Sequence, residues 1–342
     1  MLYGSVEIFR YSSEPQMAFI QTQGYIFGMK TIKPPMLRKG GTIGLVSPSG
    51  CPHSINIQRA IHRFREMGFK VWTDDIVRRT TRWGYLAGTD RERAESVNNA
   101  FRSPDVDAVF CTTGGYGAQR ILPFLDYDAI RDNPKILVGY SDITALHHAI
   151  PLRTGLVTFH GPTAGSVGGE FPEYSRKHLF RAIASDELIE EITNPVDGPI
   201  IKTVTGGRVT GELVGGNGSI ISSLMGTPYE LDMEGKVFFI ENTRERPPWY
   251  VDRELTQLRL ANKLQRCSGI IYGENLRTEP QDATLGQTME EVIRDRVSDL
   301  GIPAIYDLCC GHGMYQCTLP IGVRATLDAT NGKLIIEEPA VS

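Results

Sequence analysis

The sequence lacks most of the features that would point to a metal, a nucleotide cofactor, a membrane or a nucleic acid. Its six cysteines include no C-x-x-C pair, so their spacing suits neither a zinc site nor a disulfide framework, and a reduced, cytoplasmic compartment fits best. No apolar run is long enough to span a bilayer. A net charge of -4 gives no electrostatic reason to bind nucleic acid or an anionic membrane. No P-loop motif occurs, and we expect neither a metal nor a cofactor.

The order of predicted elements indicates two domains, as the length of 342 residues also suggests. In the first half, short buried strands alternate with helices, and this alternation predicts a doubly wound parallel sheet. After about residue 184 the pattern changes to short strands with glycine turns and two helices, which is typical of a β-rich α+β domain. The predicted boundaries are an N-terminal extension (1–32), an α/β domain (33–186), a linker (187–203) and a β-rich domain (204–342).

A serine follows one of the predicted strands at a sharp turn. The strand at residues 136–138 leads into Gly139, then Ser141, then a helix-like segment. A serine in such a turn has its hydroxyl at the end of the sheet, near free backbone N–H groups, as in a nucleophile elbow. The form G-x-S-x-G is only half met, because Ile143 replaces the second glycine. A helix cap formed by Ser141 or Asp142 explains the segment equally well.

Other residues stand where catalysis would need them, although each also has an ordinary structural explanation. The turn Gly114-Gly-Tyr-Gly117 would let a substrate approach backbone amides, yet it is not a phosphate-binding G-x-G-x-x-G. Glu241 ends an apolar strand, either as a simple strand terminus or as a carboxylate paired with a base. His312 lies between two glycines, as a surface residue or as a base. His160 ends another apolar strand and is a candidate for the wall of a site.

Taken in order, these segments resemble the LD-carboxypeptidase family of serine peptidases, which also includes the microcin-immunity peptidases. The resemblance covers about residues 33–337, and so many motifs in one order are far more specific than any one of them. The shared segments are Gly41-Thr-Ile-Gly-Leu-Val-Ser-Pro-Ser-Gly50, Gly84-Tyr-Leu-Ala-Gly-Thr-Asp90, Gly114-Gly-Tyr-Gly117, Gly139-Tyr-Ser-Asp142, His160-Gly-Pro162, Gly211-Glu-Leu-Val-Gly-Gly-Asn217, Phe238-Phe-Ile-Glu241, and Gly311-His312 with Thr318-Leu-Pro-Ile-Gly322.

The resemblance implies a Ser–His–Glu triad that is divided between two domains. By its motifs, Ser141 is the nucleophile, His312 the base and Glu241 the acid that orients the base. The residues expected to form the oxyanion hole are Gly114, Gly115 and Asp142, and those expected to bind substrate are Tyr116, His160, Gly216 and Asn217.

The resemblance also implies a fold and a reaction. The expected fold is a flavodoxin-like parallel-sheet domain followed by a β-rich, barrel-like domain, in a cytoplasmic homodimer. The expected reaction removes the terminal D-alanine of a murein tetrapeptide, a small peptide substrate, during cell-wall recycling and without a metal or cofactor. The alternative is a microcin-immunity-type peptidase that cleaves aminoacyl-nucleotide conjugates. Two departures bear on the substrate: Thr113 stands where wall-recycling members often have arginine, and the loop after His312 is not typical.

Overall fold

Two sheets organise the chain, and each is built mainly from one half of the sequence. The computed structural model describes residues 30–78, 82–189, 191–243, 246–275 and 286–342. The strands are β1 (Thr42–Val46), β2 (Lys70–Thr73), β3 (Ala108–Cys111), β4 (Ile136–Gly139), β5 (Thr158–His160), β6 (Glu191–Ile192), β7 (Lys202–Thr205), β8 (Arg208–Asn217), β9 (Val237–Glu241), β10 (Gly269–Gly273), β11 (Ala304–Leu308), β12 (Leu319–Ile321), β13 (Arg324–Asp328) and β14 (Lys333–Ile336). The α-helices are α1 (Ser54–Glu66), α2 (Asp90–Arg102), α3 (Ala118–Ile121), α4 (Tyr127–Asp132), α5 (Thr144–Thr154), α6 (Ala164–Gly168), α7 (Glu173–Ile183), α8 (Gly218–Leu224), α9 (Pro248–Leu260) and α10 (Met289–Val297).

The first sheet has the strand order β12-β5-β4-β3-β1-β2. The five strands from the first half of the chain are parallel, and their order is that of a flavodoxin-like sheet. The side chains of the central strands β1, β3 and β4 are buried almost throughout, because helices cover the sheet on either side, whereas the edge strand β2 is partly exposed. The predicted flavodoxin-like domain is therefore confirmed. Ligands of such sheets bind beyond the carboxyl ends of the strands, where the strand order reverses between β1 and β3.

The second sheet has eight strands in the order β6-β14-β13-β8-β9-β10-β11-β7 and is curled into a half-barrel. Strands β8 to β11 run parallel, and the flanking strands are antiparallel. This arrangement confirms the predicted β-rich second half. Strand β12 departs from it, since it pairs antiparallel with β5 and so joins the first sheet. The two sheets are thus tied together beside the carboxyl end of β4.

Local sequence signals explain where several elements begin and end. Helix α2 starts at a capping box in which Thr89 and Glu92 satisfy each other's backbone N–H groups. The sequence predicts one helix over residues 121–130, but the structure divides this segment into the end of α3, a 3₁₀ turn containing Pro123, and α4. Pro123 cannot donate the hydrogen bond that would continue α3, and Asp126 caps the new helix by accepting from the amide of Ala129.

The segment predicted as a linker contributes to the second sheet. Strand β6 and the first residues of β7 fall within it, and β6 pairs with β14. Ile32, at the end of the predicted extension, forms a bridge with Leu156, whereas residues 1–29 lie outside the described part of the chain. The exact domain boundaries remain a prediction. Among the helices that the structure describes, none combines the length and hydrophobicity that a membrane span requires.

Candidate active site

Strand β4 delivers Ser141 to the carboxyl edge of the first sheet through a strained turn. Ser141 has φ +65°, a left-handed conformation that is rare for a residue with a side chain. A Cβ added at Gly139 would lie 2.8 Å from Ile143, so a glycine is needed where the chain turns back toward α5. Strain of this kind is characteristic of a nucleophile elbow. Neither Ser141 nor Asp142 caps α5 through its side chain, because the residue at the N-cap position is Ile143.

The glycine turn after β3 packs directly against this serine. A Cβ added at Gly114 would lie 2.9 Å from Oγ of Ser141 and 3.3 Å from the amide nitrogen of Asp142. Gly114 is in turn fixed to the end of β1, because its carbonyl accepts a hydrogen bond of 3.0 Å from Gly50. Gly115 follows with φ +103°, which other residues adopt poorly. Backbone amides and the serine hydroxyl are therefore close neighbours at this edge.

The carboxylate of Asp142 is used to hold the turn in place. One of its oxygens accepts hydrogen bonds from the Ser49 hydroxyl and, at 2.7 Å, from the amide of Ala118. The side chain is buried, and this burial raises the pKa of the carboxyl above its ordinary value. Because these contacts come from the segments after β1 and β3, Asp142 ties the turn to the carboxyl ends of those two strands. Its side chain is directed to this scaffold, which leaves the backbone amide as its predicted contribution to an oxyanion hole.

The second sheet supplies a carboxylate–imidazole pair. Glu241 ends β9 and is completely buried, and its Oε2 lies 2.7 Å from Nδ1 of His312. Asn217, its register partner at the end of β8, donates from Nδ2 to the other oxygen at 3.1 Å. Burial by itself would raise the pKa of Glu241, but His312, then His160 and Asn217, hold it below the ordinary value. The carboxylate is therefore ionised, and His312 has an acceptor for its Nδ1–H.

Ser141 and His312 line the same cavity, which has a volume of about 440 Å³. The ring of Tyr140 lies beside the imidazole, with ring centroids 4.8 Å apart. Gly114 and Gly115 belong to the same lining, so the predicted oxyanion glycines, the hydroxyl and the imidazole surround one space. A second cavity of about 200 Å³ adjoins it and also contacts Tyr140 and His312. A hydroxyl, an imidazole and an oriented carboxylate in this arrangement can carry out nucleophilic attack on a carbonyl group.

The predicted substrate-binding residues are not grouped in this way. His160 is fully buried and its Nε2 lies 2.7 Å from the carbonyl of Cys310, while Gly216 packs so tightly that an added Cβ would lie 2.5 Å from Thr144. Neither is among the described residues that line the two cavities, so contact with substrate would require a rearrangement. Asn217 is bonded to Glu241, and Tyr116 is half exposed beside Tyr85. Substrate contact by all four stays a prediction.

Several cavity residues were missed by the sequence analysis. Tyr140 precedes the serine and could have been found from that position, but Asn56, Ser166 and Glu170 lie on segments with no recognisable motif. They reach the cavity because α6 packs closely against α1: a Cβ added at Gly168 would lie only 1.7 Å from a backbone oxygen of Asn56. Thr113 and Met314, at the two departures noted in the sequence, line the larger and the smaller cavity respectively.

Comparison with known proteins gives a consistent result. The sequence profile of the LD-carboxypeptidase N-terminal domain matches residues 43–161, and that of the LD-carboxypeptidase C-terminal domain matches residues 210–327. A probable murein peptide carboxypeptidase of Bacillus subtilis is 36% identical over 89% of this chain and 94% of its own length. The structure of MccF in complex with glutamyl sulfamoyl guanosine matches with a TM-score of 0.82 at 28% identity, covering 91% of this chain and 99% of that one. Muramoyltetrapeptide carboxypeptidase from Oxalobacter formigenes matches with a TM-score of 0.74 at 29% identity, covering 87% and 99%.

Proposed function

Because the chain belongs to the LD-carboxypeptidase family of peptidases, we propose that it is a serine carboxypeptidase with a Ser141–His312–Glu241 triad. Its proposed substrate is a murein tetrapeptide, from which it releases the terminal D-alanine in the cytoplasm during cell-wall recycling. The observation that carries the proposal is the convergence of a strained serine from one sheet and a Glu–His pair from the other on a single cavity.

In the proposed reaction, the hydroxyl of Ser141 attacks the carbonyl carbon of the last peptide bond. Nε2 of His312 takes the hydroxyl proton and then gives it to the leaving amine of D-alanine. The ionised Glu241 accepts from Nδ1, fixes the tautomer and stabilises the imidazolium. Amides at Gly114 or Gly115 and at Asp142 stabilise the oxyanion. Water then hydrolyses the acyl-enzyme by the same proton transfers in reverse order.

A carboxypeptidase must also hold the free carboxylate of its substrate. Neither lysine nor arginine is among the described residues that line the two cavities. The larger cavity is instead bordered by the start of α1, through Pro52, His53 and Asn56, and by the hydroxyl-bearing Thr113 and Thr163. No side chain caps α1, and the first turn of a helix favours negative charge. These features support binding of a small terminal residue by neutral donors.

The second candidate is a peptidase of the microcin-immunity kind that acts on an aminoacyl-nucleotide conjugate. The observation in its favour is the TM-score of 0.82 with MccF in a complex with such a molecule. The two candidates share the chemistry and differ in the leaving group, which is a D-amino acid in one and a nucleotide in the other. Substrate trials therefore distinguish them.

The proposal is tested by incubating the protein with murein tetrapeptide, its C-terminally amidated form, the form ending in L-alanine, and an aminoacyl sulfamoyl adenylate. We expect mass spectrometry to show loss of alanine from the first peptide and none from the L-ended one. The amidated peptide should lose little, because a site that binds a carboxylate rejects an amide that leaves its donors poorly paired. Equal cleavage of D- and L-ended peptides would contradict the L,D assignment. Cleavage of the adenylate alone would favour the second candidate.

We also propose that the protein is a homodimer, which light scattering at several protein concentrations checks.

A further inference from the structure

The two cavities meet at a boundary formed by four side chains. The two cavities share Tyr140, Ser166, Glu170 and His312. Ser141, Gly114 and Gly115 line only the larger one. The smaller cavity extends the cleft past His312 toward Phe171 and Met314. A peptide that places its scissile carbonyl at Ser141 therefore has room on the far side of this boundary for a neighbouring residue.

Glu170 is the one carboxylate among the described residues of this lining, and no lysine or arginine accompanies it. It is exposed, and no hydrogen bond or ion pair joins its side chain to another residue in the described part of the chain. Arg63 lies far from Glu170 in the sequence but is hydrogen-bonded to the turn just before it. Its guanidinium donates to the carbonyls of Val167 (2.5 Å) and Gly169 (2.8 Å), so its charge is directed to the backbone.

The backbone beneath Glu170 is held firmly enough to present a side chain in a defined place. The amide of Gly169 bonds to the carbonyls of Gly165 and Ser166 at 3.0 and 3.1 Å. The tight packing of Gly168 on α1 and the two bonds from Arg63 fix the same turn from the other side. The cleft thus contains, at the boundary between its two cavities, a carboxylate on a firmly held backbone segment, and the described lining includes no lysine or arginine.

We propose that Glu170 determines specificity by pairing with an ammonium group on the substrate residue that precedes the terminal D-residue. This inference rests on the proposed carboxypeptidase function and makes its substrate more specific. Glu170 repels the terminal carboxylate, so the two groups avoid close approach and Glu170 is left to the acyl side. The preferred substrates carry a diamino acid with a free side-chain amine and no side-chain carboxylate, namely lysine or amidated diaminopimelate. A free diaminopimelate places a second carboxylate beside Glu170, and the described lining has no lysine or arginine to offset it.

The test uses four tetrapeptides that differ only in the third residue: lysine, Nε-acetyl-lysine, amidated diaminopimelate and free diaminopimelate. We expect kcat/KM for D-alanine release to be about fivefold higher with lysine than with acetyl-lysine, the effect of one partly exposed ion pair. In Glu170→Gln this ratio should fall to about one, chiefly through loss of activity on the lysine peptide. Added salt should reduce the ratio in the natural protein. Glu187→Gln, which changes an exposed carboxylate outside the lining, should retain it.

A binding measurement separates this inference from the proposed function. Ser141→Ala cannot form an acyl-enzyme, so calorimetric binding of the lysine and acetyl-lysine peptides reports on Glu170 without turnover. Tighter binding of the lysine peptide that disappears in Ser141→Ala/Glu170→Gln supports the inference even if no peptide is cleaved, a result that would overturn only the proposed function. An unchanged lysine preference in Glu170→Gln, in turnover or in binding, overturns the role of Glu170.

Discussion

The two halves of the candidate site are held by different physical means. Ser141 is positioned by the backbone, through its φ of +65° and the close packing of Gly114 and Gly139. Glu241 and His312 are positioned by side-chain hydrogen bonds at 2.7 and 3.1 Å, with the acid wholly buried. Ser141 therefore depends on glycines and on a turn that few sequences adopt, whereas the Glu241–His312 pair depends on polar partners that must all be satisfied.

A direct hydrogen bond between Thr144 and Asn217 joins the two halves. Thr144 opens α5 three residues after the serine, and its buried hydroxyl accepts a 2.9 Å hydrogen bond from the amide of Asn217. The side chain of the same asparagine donates to Glu241. Gly216 allows this approach, because any larger residue would collide with Thr144. A continuous series of bonded groups thus runs from the helix behind Ser141 to Glu241 in the other sheet.

The largest effect is expected from removing the proposed nucleophile. Ser141→Ala should lower kcat on the murein tetrapeptide by about 10⁴-fold or more, because a triad without its nucleophile retains only the oxyanion hole and substrate binding. Steady-state release of D-alanine measures this loss, and the circular dichroism spectrum of the variant should match that of the unsubstituted protein. Near-normal turnover in the folded variant would mean that the strained turn serves another purpose.

A somewhat smaller loss is expected when the acid is neutralised without a change of shape. Glu241→Gln leaves a group of the same size at the end of β9, but it removes the charge that stabilises the imidazolium and fixes its tautomer. We expect kcat to fall by about 10³–10⁴-fold with a nearly unchanged KM. An active variant whose kcat depends on pH as in the unsubstituted protein would show that the Glu241–His312 pair is only structural.

The contact between the halves should have an intermediate effect. Thr144→Val keeps the volume but leaves the buried amide of Asn217 without its acceptor, so unfolding free energy should fall by about 1–3 kcal/mol. The loss of alignment should lower kcat roughly ten- to hundredfold, with little change in KM. Thr144→Ser retains the hydroxyl and is the matched control. If the valine and serine variants have the same kcat, the two halves are aligned by other contacts.

Much of this architecture could be read from the sequence because it follows from periodicity and from local chemistry. Alternating strands and helices predict the parallel sheet, and the serine in its turn predicts a special backbone position. The sequence could not show that His160 is enclosed by the C-terminal half or that Glu170 reaches the cleft, because both depend on contacts between segments far apart in the chain. Pro123 shows the opposite case. A proline inside a helix removes a backbone donor, so the interruption of the helix predicted over residues 121–130 could have been foreseen from the sequence.

The smallest effect concerns stability and tests whether the backbone-held half also depends on a side chain. His147 lies in α5 below the serine turn, with Nε2 2.8 Å from the carbonyl of Gly139 and Nδ1 2.9 Å from the Thr158 hydroxyl. Burial lowers the pKa of His147 to about 3, and burial of the neighbouring His148 lowers its pKa to about 4. A neutral ring suits this place, since it donates to the carbonyl from one nitrogen and accepts the hydroxyl proton at the other.

An unfolded histidine takes up a proton near pH 6.5, whereas the folded His147 does not, so the unfolded state binds more protons as the pH falls. We therefore expect the stability from this residue to be complete above that pH and to decrease by on the order of 1–2 kcal/mol between pH 7 and 5. Asp307 acts in the opposite direction, because burial raises its pKa to about 6, and the measured slope is a sum. Urea unfolding of the natural protein and His147→Gln at pH 7, 6 and 5 isolates one histidine. Parallel curves for the two proteins would show that the ring takes up protons equally in the folded and unfolded states. Coincident curves would show in addition that backbone geometry alone supports the turn.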